Sequence, residues 1–521
     1  MRYYAVLLLL STTQAFQLPF HIPNFFSAAI PATHAEQSPI SGTPRIAIIG
    51  AGAGGSSAAF WIAKAKERFG VDVEIDVYER NGYIGGRSTI VYPYNDSSLP
   101  ELELGASIFV EANKNLWRAS DEFNLTRRDF HDQDYETGIW DGEKVLVSFS
   151  GGWWDTAKVL WRYGFLSPKR TESFVRNMIN RILVLYGSET PKWDSILDLS
   201  SFLGWTEITN TTTSKYLSRQ GVSEQYVSEV VEAATRVNYG QNVDEIHALE
   251  GACALAGTGA SGIAGGNFQM FEKFLNHSGA SVYLNTPVTA ILPSSSSSQL
   301  WSVKSGRGAT DYKSVILAAP FHSTGIKFPL SISDQVPEIP YVHLHVTLLS
   351  TTSTYPNPAY FGLPSSSTVP RMMLTTNQGA RDGRTKPEFN SLSYHGLVRD
   401  GEWAVKIFSE NALSDEWLNN MFQGQVGWVL RKDWDAYPKL PPTSNFPPVK
   451  LDRGLYYVNS FEPFISTMET ETVSSRNTVD LMLNDEFDAS ICGRKISAAE
   501  SAEKPLAEES TVKDFIFGWD C

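Results

Sequence analysis

Cysteine is scarce in this sequence, and no apolar run is long. The 521 residues include only Cys253, Cys492 and Cys521, too few for a disulfide-rich framework, although a bridge between two of them stays open. The apolar run near the N-terminus, Ala5 to Leu10, is far shorter than the roughly 20 residues of a membrane-spanning helix. A disulfide scaffold and a membrane bundle are therefore excluded.

Basic residues are outnumbered by acidic ones. The chain has 43 lysines and arginines against 57 aspartates and glutamates, which gives a formal charge of −14. No basic stripe with interleaved aromatic residues is present, and this net charge would repel a phosphate backbone. We therefore expect no nucleic-acid partner.

A pattern of metal ligands is also missing. His343 and His345 lie two apart in "YVHLHVTLL", hence on one face of a predicted strand. Because no carboxylate or cysteine stands near them in the sequence, we interpret them as sheet-surface residues and predict no metal. Cys253, in "EGACALAGTG", is interpreted as a small packed hydrophobe and not as a nucleophile.

The N-terminus has the features of a secretory signal. Residues 1–15 hold one basic residue, the short apolar run, and small residues at Thr13 and Ala15, and we interpret them as a signal peptide. The alternative is a buried strand at a cytosolic N-terminus. We expect the protein in the secretory pathway, in a lysosome or vacuole or outside the cell. The predicted N-glycosylation sites are Asn95, Asn124, Asn210 and Asn276.

The strongest motif begins at residue 45. "RIAIIGAGAGGSSAAFWIAKAKERFGVDVEIDVYER" predicts a strand, a glycine turn, a helix and a second strand. Gly50, Gly52 and Gly55 form GxGxxG, in which Gly52 lets backbone approach a pyrophosphate at the helix N-terminus. Glu79, 24 residues after Gly55, ends the second strand and can reach ribose hydroxyls. A dinucleotide site is predicted, and the alternative is a glycine-rich helix start without a ligand.

The continuation favours FAD over NAD. "ERNGYIGGRS", with Gly85, Gly86 and Arg87, resembles the extended FAD motif of glutathione-reductase-like flavoproteins. "ELGASIF", residues 103–109, resembles the next segment of the amine-oxidase-like branch, where backbone runs beside the flavin. A second glycine fingerprint for NAD is not evident, so molecular oxygen is the expected electron acceptor.

Three later segments narrow the family. "RVNYGQN" (236–242), "GGNFQMFEKFL" (265–275) and "NSFEPFISTMETETVSSRNTVDLML" (459–483) resemble prenylcysteine oxidase, also called prenylcysteine lyase, and the resemblance runs from about residue 44 to 484. It implies an FAD-dependent thioether oxidase that degrades farnesyl- and geranylgeranylcysteine to prenyl aldehyde, cysteine and hydrogen peroxide. The partners would be a small hydrophobic thioether and oxygen. Two alternatives are an FAD-dependent amine or polyamine oxidase and a non-enzymatic prenyl-binding protein of the Rab escort type.

The resemblance also implies site residues, though no catalytic residue. The residues expected at the ADP half and pyrophosphate of FAD are Gly50, Gly52, Gly55, Glu79, Gly85, Gly86 and Arg87, with Val288 at the adenine. Those expected around the isoalloxazine or substrate are Gly105, Ala106, Ser107, Gly265, Gly266 and Asn267. Glu462 is expected at the ribityl or pyrophosphate portion. Glu462 could instead cap a turn, and Asn267 could serve only as a helix N-cap.

The implied fold class is α/β, with two packed domains because the chain is too long for one simple core. A Rossmann-like FAD-binding domain of the glutathione-reductase and amine-oxidase type is expected, with an interleaved mixed α+β substrate domain. We place a lead-in at 16–43, the discontinuous FAD domain at 44–110, 246–320 and 451–484, the substrate domain at 111–245 and 321–450, and a tail at 485–521. The tail is neither a prenylation box nor a hydrophobic anchor.

Overall fold

The computed structural model describes residues 42–129, 136–150, 153–492 and 515–521. The predicted signal peptide, nearly all of the lead-in and residues 493–514 of the tail lie outside these ranges. No helix within them is long and apolar enough to cross a membrane.

The chain alternates between strands and helices along most of its length. The strands are β1 (Arg45–Ile49), β2 (Glu74–Tyr78), β3 (Ile90–Val91), β4 (Leu102–Glu103), β5 (Arg127–Asp129), β6 (Thr137–Trp140), β7 (Val145–Phe149), β8 (Ser261–Ile263), β9 (Ser281–Tyr283), β10 (Val288–Pro293), β11 (Trp301–Ser305), β12 (Gly308–Tyr312), β13 (Ser314–Leu317), β14 (Tyr341–Thr351), β15 (Met372–Thr375), β16 (Ser391–Arg399), β17 (Glu402–Ser409), β18 (Val426–Pro438), β19 (Lys450–Asp452) and β20 (Leu455–Tyr457). The helices are α1 (Ala53–Phe69), α2 (Lys114–Glu122), α3 (Trp153–Tyr163), α4 (Leu166–Ile182), α5 (Ile196–Phe202), α6 (Thr206–Thr209), α7 (Thr213–Arg219), α8 (Glu224–Tyr226), α9 (Glu232–Tyr239), α10 (Ala248–Ala254), α11 (Phe268–Ser278), α12 (Leu330–Ser333), α13 (Gln378–Arg381), α14 (Asp415–Met421) and α15 (Met468–Phe487).

The first sheet is parallel and buried. Its order is β19-β20-β13-β1-β2-β9, and every pair is parallel except β19 with β20. β1 is a continuous apolar strand because helices cover the sheet. α1 packs along α11 and α15, where Ser475 Oγ donates to the Gly54 carbonyl at 2.6 Å. The Rossmann-like α/β fold is confirmed, and its strands come from 45–78, 281–317 and 450–457; the domain boundaries stay predictions.

The second sheet is mostly antiparallel, and the alternating apolar runs and many prolines from residue 341 to about 448 predict such a sheet. Its order is β18-β14-β17-β16-β15-β6-β7, with β15 parallel to β6. β6 and β7 come from residues 111–245, whose sequence pattern predicts mainly helices interrupted by turns such as "DGEK". The Asp141 carboxylate accepts hydrogen bonds from the backbone N–H groups of Glu143 at 3.0 Å and Lys144 at 2.7 Å, so that turn closes a hairpin.

The segment "VYLNTPVTAI" has the sequence pattern of a strand, but the structure interrupts it. It divides into β9 and β10 because Asn285 has a φ of +51° and Pro287 cannot donate a ladder hydrogen bond. β10 then joins β11 and β12 in a separate antiparallel sheet. The serine run Ser294–Ser298, whose composition predicts a surface connection, lies between β10 and β11.

The last residues return to the first domain. Cys521 forms a disulfide with Cys492, and Cys253 is free. The Trp519 ring, 7% exposed, lies 4.9 Å from the ring of Phe60 between centroids. Arg68 on α1 donates to the carbonyls of Gly518 at 2.9 Å and Trp519 at 2.7 Å. The described end of the tail, 515–521, is thus an integral part of the core around α1.

Candidate cofactor site

The first glycine turn joins β1 to α1, and its glycines differ in whether the surrounding protein leaves room for a side chain. A Cβ at Gly50 would stand 2.5 Å from the Ala318 carbonyl oxygen, and one at Gly55 would stand 1.9 Å from the Gly50 carbonyl oxygen. Those two positions are glycine because the protein's own packing requires it. At Gly52 the nearest atom to a Cβ would be 3.7 Å away. That Cβ would make only ordinary van der Waals contact, so the protein's own packing does not require glycine at this position, which lies at the amino end of a helix that favours phosphate.

Glu79 lies beside this turn. Its carboxylate accepts hydrogen bonds from the Ala51 N–H at 2.9 Å and from the Asn81 N–H at 2.8 Å, and the residue is 5% exposed. Burial raises the pKa of Glu79, although these donors oppose the shift. The Thr286 N–H donates to the Glu79 carbonyl at 2.8 Å, so the chain leading to Val288 runs next to this end of β2.

The second glycine turn lies against the first. The Gly85 N–H donates to the Ala51 carbonyl at 2.9 Å. Gly86 has a φ of +58°, and its Cβ would lie 3.1 Å from the Gly52 Cα. The two turns thus meet backbone to backbone around Gly52, which is what a dinucleotide held between them requires.

Arg87 and Glu462 form an ion pair. Tyr341 Oη also donates to Glu462, at 2.5 Å, and the Glu462 residue is 1% exposed. Glu462 lies between β20 and α15, so a residue of the second glycine turn is tied to the late segment. Two residues that were predicted separately are thereby brought together.

Glu471 adds a second acid near the first turn. A Cβ at Gly54 would stand 3.0 Å from Glu471 Oε2. Burial first, and the negative charge of Glu462 second, raise the pKa of Glu471 to about 8, so the carboxyl is mostly protonated at neutral pH. A protonated Glu471 beside the N-terminus of α1 does not repel a phosphate.

The turn formed by Gly105, Ala106 and Ser107 is held from two sides. Asn267 Nδ2 donates to the Ala106 carbonyl at 3.0 Å. Lys406 Nζ on β17 donates to the Gly105 carbonyl at 3.4 Å and contacts Ser107 Oγ at 3.2 Å. Asn267 precedes α11 but makes no side-chain cap hydrogen bond, so its side chain positions this turn and does not cap the helix.

Lys406 is a buried amine. It is 4% exposed and also donates to the Glu103 carbonyl at 2.8 Å. Burial lowers the pKa of Lys406 to about 7, and burial raises the pKa of Glu103 to about 7. His395 on the neighbouring strand β16 has its pKa lowered to about 3, by burial and then by Lys406. Near neutral pH, Lys406 can therefore release or accept a proton.

Other predicted residues have mainly packing roles. Gly265 and Gly266 have φ of +85° and +105°, which favours glycine at both positions. A Cβ at Gly266 would also stand 2.6 Å from Ile90 Cγ2, so packing requires glycine there as well. Arg236 of "RVNYGQN" is fully buried and donates to Asn390 Oδ1 at 2.8 Å. That motif joins α9 to the second sheet.

His343 and His345 lie on β14, and the surroundings of His343 differ from the prediction. We expected no carboxylate near them, and this is wrong, because β18 pairs with β14 and brings Asp433 and Asp435 to 3.4 and 3.3 Å from the His343 ring. Both distances join exposed groups. Within the part of the chain that the structure describes, no group of three or more histidine, cysteine and carboxylate side chains could hold a metal.

Comparison with known proteins identifies the family. The prenylcysteine lyase family matches residues 148–490, and the NAD(P)-binding Rossmann-like domain matches residues 48–123. The chain belongs to the prenylcysteine lyase family. Farnesylcysteine lyase of Arabidopsis thaliana is 32% identical over 459 residues, which cover 84% of this chain and 88% of that protein. Prenylcysteine oxidase 1 of Homo sapiens is 26% identical, over 83% of this chain and 87% of that protein.

Solved structures match the fold. A redesigned putrescine oxidase has a TM-score of 0.56 at 14% identity and covers 84% of this chain and 99% of its own. A fatty acid isomerase from P. acnes has a TM-score of 0.58 at 13% identity and covers 86% and 100%. At these identities the likeness is one of fold alone. The two glycine turns that meet at Gly52, a glycine that the protein's own packing does not require, fit a flavin cofactor in a member of this family.

Lys406, Glu103 and Glu471 were missed as site residues. Glu103 and Glu471 stand inside segments that the sequence singled out, "ELGASIF" and "METETVSS", so their motifs were visible even though their burial was not. Lys406 lies in the ordinary strand pattern "EWAVKIFS". Only the packing of β17 against the Gly105 turn reveals it.

Proposed function

We propose that this protein is an FAD-dependent oxidase that cleaves farnesylcysteine or geranylgeranylcysteine to a prenyl aldehyde, cysteine and hydrogen peroxide. The observation that carries the proposal is family membership over residues 148–490, in a chain whose two glycine turns meet at Gly52. The farnesylcysteine lyase relative supports the substrate class. The amine-oxidase likeness supports only the fold.

The residues that would hold FAD lie at the two glycine turns and at the turn from Gly105 to Ser107. The backbone around Gly52 and Gly86 and the N-terminus of α1 suit the pyrophosphate, and Glu79 suits a ribose. Asn267 and Lys406 fix the turn from Gly105 to Ser107, the expected flavin border. Bound there, FAD would supply a hydride acceptor and a path for two electrons to oxygen.

The overall reaction balances as prenylcysteine, oxygen and water giving prenyl aldehyde, cysteine and hydrogen peroxide. Carbon 1 of the prenyl group lies between sulfur and an alkene, so the cation left by hydride loss is stabilised from both sides. Water then adds to carbon 1 and loses a proton, and the hemithioacetal breaks into aldehyde and thiol. The protein needs no strong base for the first step, and its task is to position carbon 1 and to control water.

Lys406 is our candidate for the group that takes the proton from that water. Its Nζ borders the Gly105 turn, and its lowered pKa, about 7, leaves a neutral fraction near neutral pH. Its Nζ also lies 4.9 Å from the ring of Phe408, which belongs to the apolar cluster between the second sheet and the helices. A proton acceptor at the edge of an apolar interior suits a substrate with a long hydrocarbon chain.

Apolar contact is expected to dominate affinity. Burying about fifteen carbons at roughly 0.8 kcal/mol per CH₂ offers on the order of 10 kcal/mol before the costs of association. The amino acid portion of the substrate then serves mainly to orient carbon 1. This is why we expect a thioether with a shortened prenyl chain to bind poorly.

Anaerobic mixing with farnesylcysteine tests the function. We expect bleaching of the flavin absorbance, and in air equal amounts of aldehyde, cysteine and peroxide. Deuterium at both carbon 1 positions should slow bleaching, whereas deuterium elsewhere on the chain should not. Tight binding of farnesylcysteine without bleaching would favour the prenyl-binding alternative, and bleaching by amines but not by thioethers would favour the amine oxidase.

We further infer passage through the secretory pathway, ending in a lysosome or vacuole or outside the cell. In support, all four sequon asparagines, Asn95, Asn124, Asn210 and Asn276, are exposed. Sequencing of protein from its native host should find a mature N-terminus near Phe16 and a mass that falls on N-glycan removal. An unglycosylated chain that still begins at Met1 would refute this.

A further inference from the structure

Large apolar side chains are exposed together at one point of the molecule, the connection between α3 and α4. Leu160, Trp161, Phe165 and Leu166 are 43%, 91%, 62% and 56% exposed. They account for four of the ten large exposed apolar residues in the described chain, although they lie within seven consecutive positions. Isolated exposed apolar residues are ordinary, but a contiguous group marks an interaction surface. We call this group the α3–α4 tip.

The α3–α4 tip is held in place from inside. Arg162 donates from Nε and Nη2 to the two Glu229 carboxylate oxygens at 2.7 and 2.8 Å, and Tyr163 Oη donates to Glu229 at 2.8 Å. On the other side, the Ser223 N–H donates to Ser167 Oγ at 3.0 Å. The polar residues of this connection therefore face inward as anchors, and the apolar ones point away from the protein.

The charge around the tip is opposite to that of the whole chain. Residues 153–176 contain five basic residues, Lys158, Arg162, Lys169, Arg170 and Arg176, against two acidic ones, Asp155 and Glu172. These residues carry a charge of +3 in a chain of −14, or +2 when Glu229, which pairs with Arg162, is included. Lys169 and Arg170 are exposed and follow Leu166 after two intervening residues, and Lys169 Nζ lies 5.5 Å from the centre of the Phe165 ring.

We propose that the α3–α4 tip is an interfacial anchor that inserts Trp161 and Phe165 into the headgroup region of an anionic lipid bilayer. An apolar tip with tryptophan and flanking basic residues matches the chemistry of a membrane surface with negative headgroups. A protein partner would need a matching groove, whereas a bilayer accepts a protruding tip without shape complementarity. The inference is independent of the flavin chemistry.

Vesicle flotation of the purified holoenzyme tests the proposal. The wild-type protein should float with vesicles of phosphatidylcholine and phosphatidylserine, and binding should weaken in vesicles of phosphatidylcholine alone and at high salt. Replacing Trp161→Ser and Phe165→Ser together should lower the partition coefficient at least about tenfold. Lys169→Glu, which reverses one charge, should lower it roughly tenfold on anionic vesicles only.

The control is Leu330→Ser. Leu330 is 78% exposed and lies outside the tip, so its loss should leave vesicle binding within about twofold of wild type. Flavin content should be equal in all variants, which shows that they fold. The proposal is overturned if wild-type protein does not float with anionic vesicles, if the Trp161 and Phe165 variant floats equally well, or if sedimentation shows that the tip instead joins two copies of the chain.

Discussion

Arg87 and Glu462 pair with each other across the first domain. Arg87 belongs to the second glycine turn, Glu462 lies just before α15, and Tyr341 from the second sheet donates to the same carboxylate. Burial alone would lower the pKa of Arg87, but the adjacent Glu462 raises it overall. The buried carboxylate of Glu462 thus links three segments that are distant in sequence: the second glycine turn, β14 and the segment before α15.

Glu462→Gln should therefore lower the stability of the folded protein. Removing one partner of a buried ion pair leaves the other charge uncompensated, which typically costs about 3–5 kcal/mol. We expect a loss of stability of that order in denaturant titrations, together with a lower flavin content. The matched control is Glu172→Gln, since Glu172 pairs with Arg176 on the surface and exposed pairs contribute about 1 kcal/mol or less. Equal stability of the two variants would refute the role assigned to Glu462.

Gly52→Val should separate cofactor binding from folding. A Cβ at Gly52 would meet nothing in the protein closer than 3.7 Å, so the variant should keep its fold and lose less stability than Gly55→Ala. It should nevertheless lose flavin, because the valine occupies the place of the pyrophosphate. Gly55→Ala should instead lower the melting temperature, since its Cβ would lie 1.9 Å from the Gly50 carbonyl oxygen. A Gly52→Val protein with full flavin content would contradict the site.

Lys406→Met should alter the pH dependence of turnover. If neutral Lys406 accepts the proton of the attacking water, aldehyde formation should rise with pH through about 7, the lowered pKa of this amine. The variant should lose that rise, while anaerobic flavin bleaching, which precedes water addition, should keep most of its rate. Stopped-flow absorbance and aldehyde trapping measure the two steps. An unchanged pH profile in the variant would exclude Lys406 from this role.

Glu250→Gln should flatten the alkaline loss of stability. Burial raises the pKa of Glu250 to about 8, so the folded state binds this proton more tightly than the unfolded state. The resulting stabilisation is complete below about pH 4.5 and is lost as pH rises through about 8. Wild-type protein should melt at a higher temperature near pH 6 than near pH 8.5.

The glutamine variant should show a smaller difference, because an amide does not titrate and can still accept the hydrogen bond from the Ser466 N–H at 3.1 Å. Glu111→Gln, at a side chain 76% exposed, should behave like wild type. His247, whose pKa burial lowers to about 4, acts in the opposite direction below about pH 6.5, and it does so equally in both proteins. An identical alkaline loss in Glu250→Gln and wild type would contradict the buried acid.

The sequence predicted the local structure around the glycine turns well because these segments are periodic or rich in glycine. The β1–α1–β2 unit and the turn at Gly50 follow from spacing alone, and so does the position of Glu79. The partners of these residues did not follow. The pairing of Arg87 with Glu462, and the contact of Lys406 with the Gly105 turn, depend on how separate stretches of chain pack. A single sequence carries no direct record of that packing.

The packing of the C-terminal tail likewise could not be predicted from the sequence. "FIFGWDC" has no periodicity that would place it on α1, and its disulfide partner could not be chosen from three cysteines. The contacts of Trp519 exist only because α1 and α11 leave room for an indole between them.

Trp519→Ala should therefore destabilise the first domain more than its position near the chain end suggests. The ring is packed against Phe60 and Trp61 of α1 and Phe274 of α11, with centroid distances of 4.9, 5.6 and 6.2 Å. Truncating a buried tryptophan to alanine typically costs about 3–5 kcal/mol. Trp161→Ala, which removes the same side chain where it is 91% exposed, should change stability by less than about 0.5 kcal/mol.

Chemical denaturation compares the stability of the Trp519→Ala and Trp161→Ala variants. Cys521→Ser separately tests the contribution of the disulfide to Cys492. Without the bond to Cys492, the end of the chain is held by noncovalent contacts such as those of Arg68 and the aromatic rings, so Cys521→Ser should lower stability by about 2–4 kcal/mol. Combining Cys521→Ser with Trp519→Ala should cost less than the sum of the two, because both act on the same docked segment. If each variant unfolds like wild type, the tail contributes nothing to the core around α1.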